Sequence, residues 1–291
     1  MDKKFRDEER TGRGWYLKMR ILVTGAKGML GQDLCPILED EEFDVIEADR
    51  NLLDITNKEN VEAILNDYEP DFVINCAAYT NVDGAEDEPE LAFKVNKTGV
   101  ENLAIMCKEF DIPILQVSTD YVFDGTKQGK YLPDDKTNPI NVYGASKLAG
   151  EEAIKQNEKY YIVRTSWLYG HHGKNFVETM LSLKDRAELK VVDDQVGCPT
   201  WTVDLSNAIV KIITEEMPYG IYQACGSGQT SWYGFAKKIF ELYGIEVNLK
   251  PCTTDEFPRK AKRPKNSIME NNKLCRKWDS ALKEYLELRC E

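Results

Sequence analysis

From Met19 onward, short runs of aliphatic and β-branched residues alternate with stretches whose apolar positions recur every three or four residues. RILVTG (20–25), DVIEAD (44–49), DFVINCAA (71–78), IPILQVSTD (112–120) and YYIVRTSW (160–167) read as strands. Between them, helical periodicity runs through Leu38, over 58–68, over 90–109 and over 142–156. In the 90–109 stretch, Leu91, Val95, Leu103 and Ile105 make an apolar face that predicts one long helix. Runs that are apolar throughout belong in a sheet covered on both faces, and strand–helix alternation favours right-handed parallel crossovers. The pattern therefore predicts an α/β fold with a doubly wound, Rossmann-type parallel sheet.

After Trp167 the regularity weakens into a helix at 176–183, an extended piece LKVVDDQVGCP (189–199), a helix at 203–214 and a strand GIYQACG (220–226). Helices and a segment rich in Pro, Lys and Arg follow from about residue 231. This predicts a dinucleotide-binding unit over 19–168 that regains a piece at 200–225. A smaller C-terminal substrate-binding lid would form from 169–199 and 226–291. Residues 1–18 carry many charges and no apolar period, and are expected to be a flexible extension.

Composition narrows the partners. The net charge of −12 has no basic stripe to follow a phosphate backbone, so nucleic acid is not expected. No run reaches the roughly 18 apolar residues of a membrane span, and the N-terminus lacks an apolar signal core, so a cytoplasmic protein is expected. Eight cysteines lie singly at 35, 76, 107, 198, 225, 252, 275 and 290, without a CxxC pair. They read as reduced thiols, and neither a disulfide frame nor a metal site is expected. Cys76 or Cys198 as a nucleophile would need a nearby base, and the histidines are His171 and His172.

Where the first strand ends, Gly25, Gly28 and Gly31 recur every third residue around Lys27, Met29 and Leu30. Such a loop lets backbone approach a pyrophosphate closely, and the following helix N-terminus favours the negative charge. Asp49 ends the second strand where an acid would accept ribose hydroxyls, and the adjacent Arg50 could hold a 2′-phosphate. NADPH and NADH both remain open. Asp54, Ile55, Ala77 and Ala78 are candidate walls for the cofactor at the same sheet edge.

Tyr143 and Lys147 stand four residues apart, one turn of the predicted helix. A neighbouring ammonium favours a phenolate, so Lys147 is expected to lower the Tyr143 pKa and let the phenol work as acid and base. Thr119, after ILQVS, would offer a hydroxyl to the same carbonyl oxygen.

TGAKGMLG, NCAAYTNVD, VNKTGVENL, STDYVFDG and YGASKLAGE together resemble the extended short-chain dehydrogenase/reductase family, over nearly all of the chain from Met19. STDYVFDG, RTSWLYG, DDQVGCPT and RPKNS are most similar to members that reduce the C4 ketone of a deoxythymidine-diphosphate sugar. The resemblance implies Tyr143 as proton donor, Lys147 as its partner and Thr119 as third member of a triad. It also implies Asn96 and Thr80 about the cofactor site, and Asp120, Trp167, Arg263 and Ser267 about a nucleotide-sugar substrate, with Arg263 free to pair with the diphosphate. A homodimer is left open. Alternatives are an epimerase or dehydratase of the same family, or a noncatalytic NADP-binding subunit resembling the regulatory subunit of methionine adenosyltransferase.

Overall fold

The computed structural model describes residues 18–289, so the extension expected at 1–18, apart from Lys18, and Cys290 lie outside the described residues. Six strands form the main sheet: β1 (Arg20–Thr24), β2 (Asp44–Ala48), β3 (Phe72–Asn75), β4 (Ile114–Thr119), β5 (Tyr160–Thr165) and β6 (Gly220–Gln223). They pair in the order β6-β5-β4-β3-β1-β2, all parallel.

The apolar runs are explained by burial on two faces. Ile21 and Val23 of β1 point into one core with Leu34 and Leu38 of helix α1 (Met29–Asp40) and with Leu205, Ile209 and Ile212 of α2 (Thr202–Thr214). Leu22, between them, points the other way onto Val61, Leu65, Val100 and Leu103. All three β1 residues are fully buried. This is the two-residue alternation of a strand with no solvent face.

Because β2 lies on one side of β1 and β3 on the other, the connections leave β1 in opposite directions and open a crevice at the carboxyl ends of β1 and β3. A second apolar core lies apart from the sheet. Tyr169, Val177, Trp201, Phe235, Leu282 and Tyr285 build it, drawing on the helices Phe176–Ser182, Trp232–Tyr243 and Trp278–Arg289. Two short parallel strands, Leu189–Val192 and Leu249–Cys252, flank it.

The long helix expected over 90–109 is present and widens in its middle. Pro89–Phe93 is a short α-helix, Lys94–Gly99 is a π-helical turn, and the α-helix resumes at Val100–Glu109. The wide turn carries Asn96 inward, and Gly99 presses on Ile55, whose Cγ1 would stand 2.6 Å from an added Cβ. Val95 packs on the core beside the sheet and also borders the crevice, whereas Leu91, read as a core position, is exposed at its edge.

Candidate active site

The glycine loop is built by steric necessity. Gly25 has φ +66°, and a Cβ there would come within 2.8 Å of the Ala77 backbone nitrogen across the switch point. A Cβ on Gly31 would fall 2.5 Å from the Ala26 carbonyl oxygen, so the first turn of α1 can lie on the loop only without one. The helix N-cap is Gly28, which brings no side chain to the first-turn amides, and no acid occupies that turn. These amides and the positive end of the helix fit an anionic diphosphate. Gly28, Met29 and Leu30 line the resulting cleft of about 740 Å³ together with Gly25 and Gly31.

At the β2 end, Arg50, Asp54 and Ile55 line the cleft, as do Ala77, Ala78 and Thr80 after β3. Lys27 and Asp49 lie outside that lining and pair with each other. Asp49 Oδ1 also accepts the Asn51 and Leu52 backbone N–H groups at 2.9 and 3.2 Å. The hydrogen bond from Lys27, then those from the backbone, hold this carboxyl down at about 2. Its acceptor capacity is largely taken by protein, whereas Arg50 is part of the cleft wall.

Helix α3 (Val142–Ile154) brings Tyr143 and Lys147 to the cleft. Asn141 caps it by accepting the Gly144 N–H at 2.7 Å. Gly144 and Gly150 let it sit close: added Cβ atoms would stand 2.1 Å from the Tyr121 carbonyl oxygen and 2.2 Å from that of Asn96. Lys147 is buried, and its Nζ donates to the Val117 carbonyl at 2.7 Å. Burial lowers its pKa to about 8, against the opposing charge of Glu151.

The Tyr143 phenol departs from expectation. Burial raises it to about 12, and the Thr119 hydroxyl only partly draws it back. Lys147 points its ammonium at the sheet carbonyl and does not depress the phenol. A phenol so raised is protonated throughout the neutral range, which suits it to giving a proton.

Asn96 is not in the cleft lining. It is fully buried, accepts the Tyr79 N–H at 2.8 Å, and donates to the Tyr79 carbonyl at 3.0 Å and to Ser146 Oγ at 2.9 Å. Ser146 in turn donates to the Tyr143 carbonyl at 2.8 Å. Expected about the cofactor site, it stands as a brace between Tyr79 of the cleft wall and the Tyr143 helix.

Thr119, Asp120 and Trp167 line the cleft where a substrate would meet Tyr143. Trp167 has φ +48°, a left-handed conformation costing about 1–2 kcal/mol for such a residue. Its indole compensates by stacking on Trp232. Ser267 and Arg263 are not in the wall. Ser267 is 2 % exposed and stands behind Asp120. Arg263 donates Nη1 and Nη2 to the Asp83 carboxylate at 2.5 and 2.8 Å, so the expected free guanidinium for a diphosphate is corrected to an internal ion pair. A carboxylate 180 residues earlier in the chain, invisible to sequence spacing, captures it.

Sequence reading missed Lys174, Thr165, Ser166 and Cys76 in the lining. Lys174 directly precedes Asn175, the N-cap of the helix Phe176–Ser182, and that Gly-Lys-Asn junction was its available signal. Burial raises the Cys76 thiol well above its ordinary value, which removes it as a nucleophile. The seven described cysteines are free thiols, and no metal-ligating cluster occurs among the described residues. No helix of the described chain is long and apolar enough to cross a membrane.

Residues 19–288 match the family model described as RmlD substrate binding domain. A dTDP-4-dehydrorhamnose reductase of Aggregatibacter actinomycetemcomitans is 43% identical over 269 residues, covering 88% of this chain and 92% of that protein. The crystal structure of a dTDP-4-dehydrorhamnose reductase from Clostridium acetobutylicum ATCC 824 superposes with a TM-score of 0.91 at 47% identity, covering 94% of this chain and all of that one. The corresponding reductase of Bacillus anthracis str. Ames, solved in complex with NADP, gives 0.90 at 42% identity, with 94% and 100% coverage.

Proposed function

This chain belongs to the RmlD substrate binding domain family, and from that premise we infer that it is an NAD(P)H-dependent oxidoreductase reducing dTDP-4-dehydro-L-rhamnose to dTDP-L-rhamnose. The observation that carries this reading is the convergence of the Tyr143 phenol, its neighbour Lys147, Thr119 and the glycine loop on one cleft.

When bound, the nicotinamide cofactor supplies the hydride. The chain's residues do the rest. Gly25, Gly28 and Gly31 admit the diphosphate to the amides of the first turn of α1. Lys147, buried in the cleft wall, would hold the nicotinamide ribose, and Thr119 would hold the ketone oxygen. Tyr143 gives its proton to that oxygen as charge develops there. The raised phenol pKa supports this direction of reaction, because the neutral donor is the form present before each turnover.

For the cofactor, NADPH is favoured over NADH. Asp49 is already held by Lys27 and two backbone amides, while Arg50 faces the cleft where a 2′-phosphate would pair with a guanidinium. The C-terminal core, from 169–199 and 226–289, serves as the substrate-binding lid, with Trp167 and Asp120 meeting the sugar. The enzyme works in the cytoplasm on a soluble nucleotide sugar.

The test is NADPH consumption with dTDP-4-dehydro-L-rhamnose. One NADPH oxidised per sugar reduced supports the reading. Sugar turnover without net oxidation would favour an epimerase or dehydratase, and NADPH binding with no oxidation would favour a noncatalytic subunit.

A further inference from the structure

Asp120 is 2 % exposed, forms part of the cleft wall, and has a carboxylate oxygen, Oδ2, with no hydrogen-bond partner. A buried ionised carboxylate left in that state is costly. The Thr119 hydroxyl donates to the other oxygen, Oδ1, at 3.1 Å, and Thr119 lines the cleft together with Tyr143. No cation in the described structure forms an ion pair with Asp120. The titratable groups facing it are Tyr121, Tyr143, Cys198 and Cys225, with burial raising both phenols and Cys198 and Cys225 sharing a hydrogen bond, and Arg263 lies beyond Tyr121, committed to Asp83.

We propose that Asp120 is held as a neutral carboxylic acid and serves as the proton reservoir that recharges Tyr143 through the Thr119 hydroxyl. This rests on the reductase reading and adds to it a step that the tyrosine, lysine and threonine do not provide. Burial raises the Asp120 carboxyl to about 7, with the Ser267 and Thr119 hydroxyls opposing the rise. The phenolate left after proton donation is the far stronger base, so transfer from Asp120 to Tyr143 runs downhill.

The step balances. Hydride adds to the ketone carbon, and the carbonyl π pair moves onto oxygen as an alkoxide. The Tyr143 O–H bond breaks and its proton bonds to that oxygen, giving the alcohol. The phenolate then takes the Thr119 proton while Thr119 takes the one from Asp120. What remains is neutral Tyr143, neutral Thr119 and an Asp120 carboxylate, which regains a proton from water after the product leaves.

Two measurements on the full chain test this. In the first, kcat is followed against pH with saturating NADPH and dTDP-4-dehydro-L-rhamnose. Wild type should lose about tenfold in rate per unit above pH 7, and Asp120→Asn should be slower by about a hundredfold at pH 6 and lack that ionisation. It should retain the one near 8 from Lys147 and recover rate on addition of formic acid. A variant that raises KM but keeps the wild-type kcat profile overturns the relay while leaving the reductase in place. In the second, infrared titration of the protein without substrate follows protonated carboxyl groups. One carboxyl should ionise near pH 7 in wild type and be missing from Asp120→Asn. Its absence in wild type overturns the relay whatever substrate the enzyme uses.

Discussion

The indoles of Trp167 and Trp232 stack face to face, with ring centroids 3.5 Å apart and planes 6° from parallel. One ring belongs to the cleft wall after β5 and the other begins the helix Trp232–Tyr243 of the C-terminal core, so the contact couples the cleft to that core. Gly197 backs Trp167 at a distance that an added Cβ would reduce to 2.5 Å from the indole Cε2.

Trp232→Ala should therefore destabilise the protein by about 1–3 kcal/mol, since both packing and the aromatic pairing are lost. It should raise KM for the sugar while leaving NADPH affinity unchanged. Urea unfolding and separate cofactor titration check the two halves; weakened NADPH binding would show that the stack supports the whole cleft.

Tyr143→Phe should lower kcat by about two to four powers of ten and leave the NADPH dissociation constant nearly as in wild type. The ring would keep its edge contact with Tyr121, so the variant should fold normally. Stopped-flow single turnovers read the chemical step directly.

Arg50→Ala should weaken NADPH by about tenfold to a hundredfold, the worth of a charge-assisted hydrogen bond, and leave NADH almost unaffected. Parallel titrations of the two cofactors against both proteins check it. An equal loss for both would place Arg50 away from the 2′-phosphate.

Acid should weaken the tie between Arg263 and Asp83. The hydrogen bond from Arg263 holds the Asp83 carboxyl at about 2, below its unfolded value of roughly 3.9. A depressed folded pKa contributes stability that is fully present above about pH 4 and fades as pH falls toward 2. Arg263→Gln should thus be less stable than wild type at pH 6, with the gap closing across that window. Urea midpoints at pH 6 and pH 2.5 measure the difference, and a gap independent of pH would assign it to packing alone.

Much of this was legible in the sequence because it depends on local rules. Gly25 and Gly31 sit where a strand becomes a helix, and Tyr143 and Lys147 share a helical face, so spacing alone placed them at one sheet edge. What escaped depends on contacts between distant segments. Arg263 looked like a free cation because its partner Asp83 lies 180 residues away. Leu91 has the periodicity of a core face, yet it stands exposed at the cleft edge, where no rule of spacing could place it. The Tyr143 pKa rises because burial acts more strongly than a lysine whose ammonium is turned to Val117. Proximity in sequence gave the pair but not the direction of the charge.

The central claim is tested most directly by mixing the purified protein with NADPH and dTDP-4-dehydro-L-rhamnose and following cofactor absorbance together with the sugar product. Wild type should oxidise one NADPH for each dTDP-L-rhamnose formed, while Tyr143→Phe binds NADPH and oxidises almost none. Equal oxidation by the two proteins, or none by either, would contradict the account.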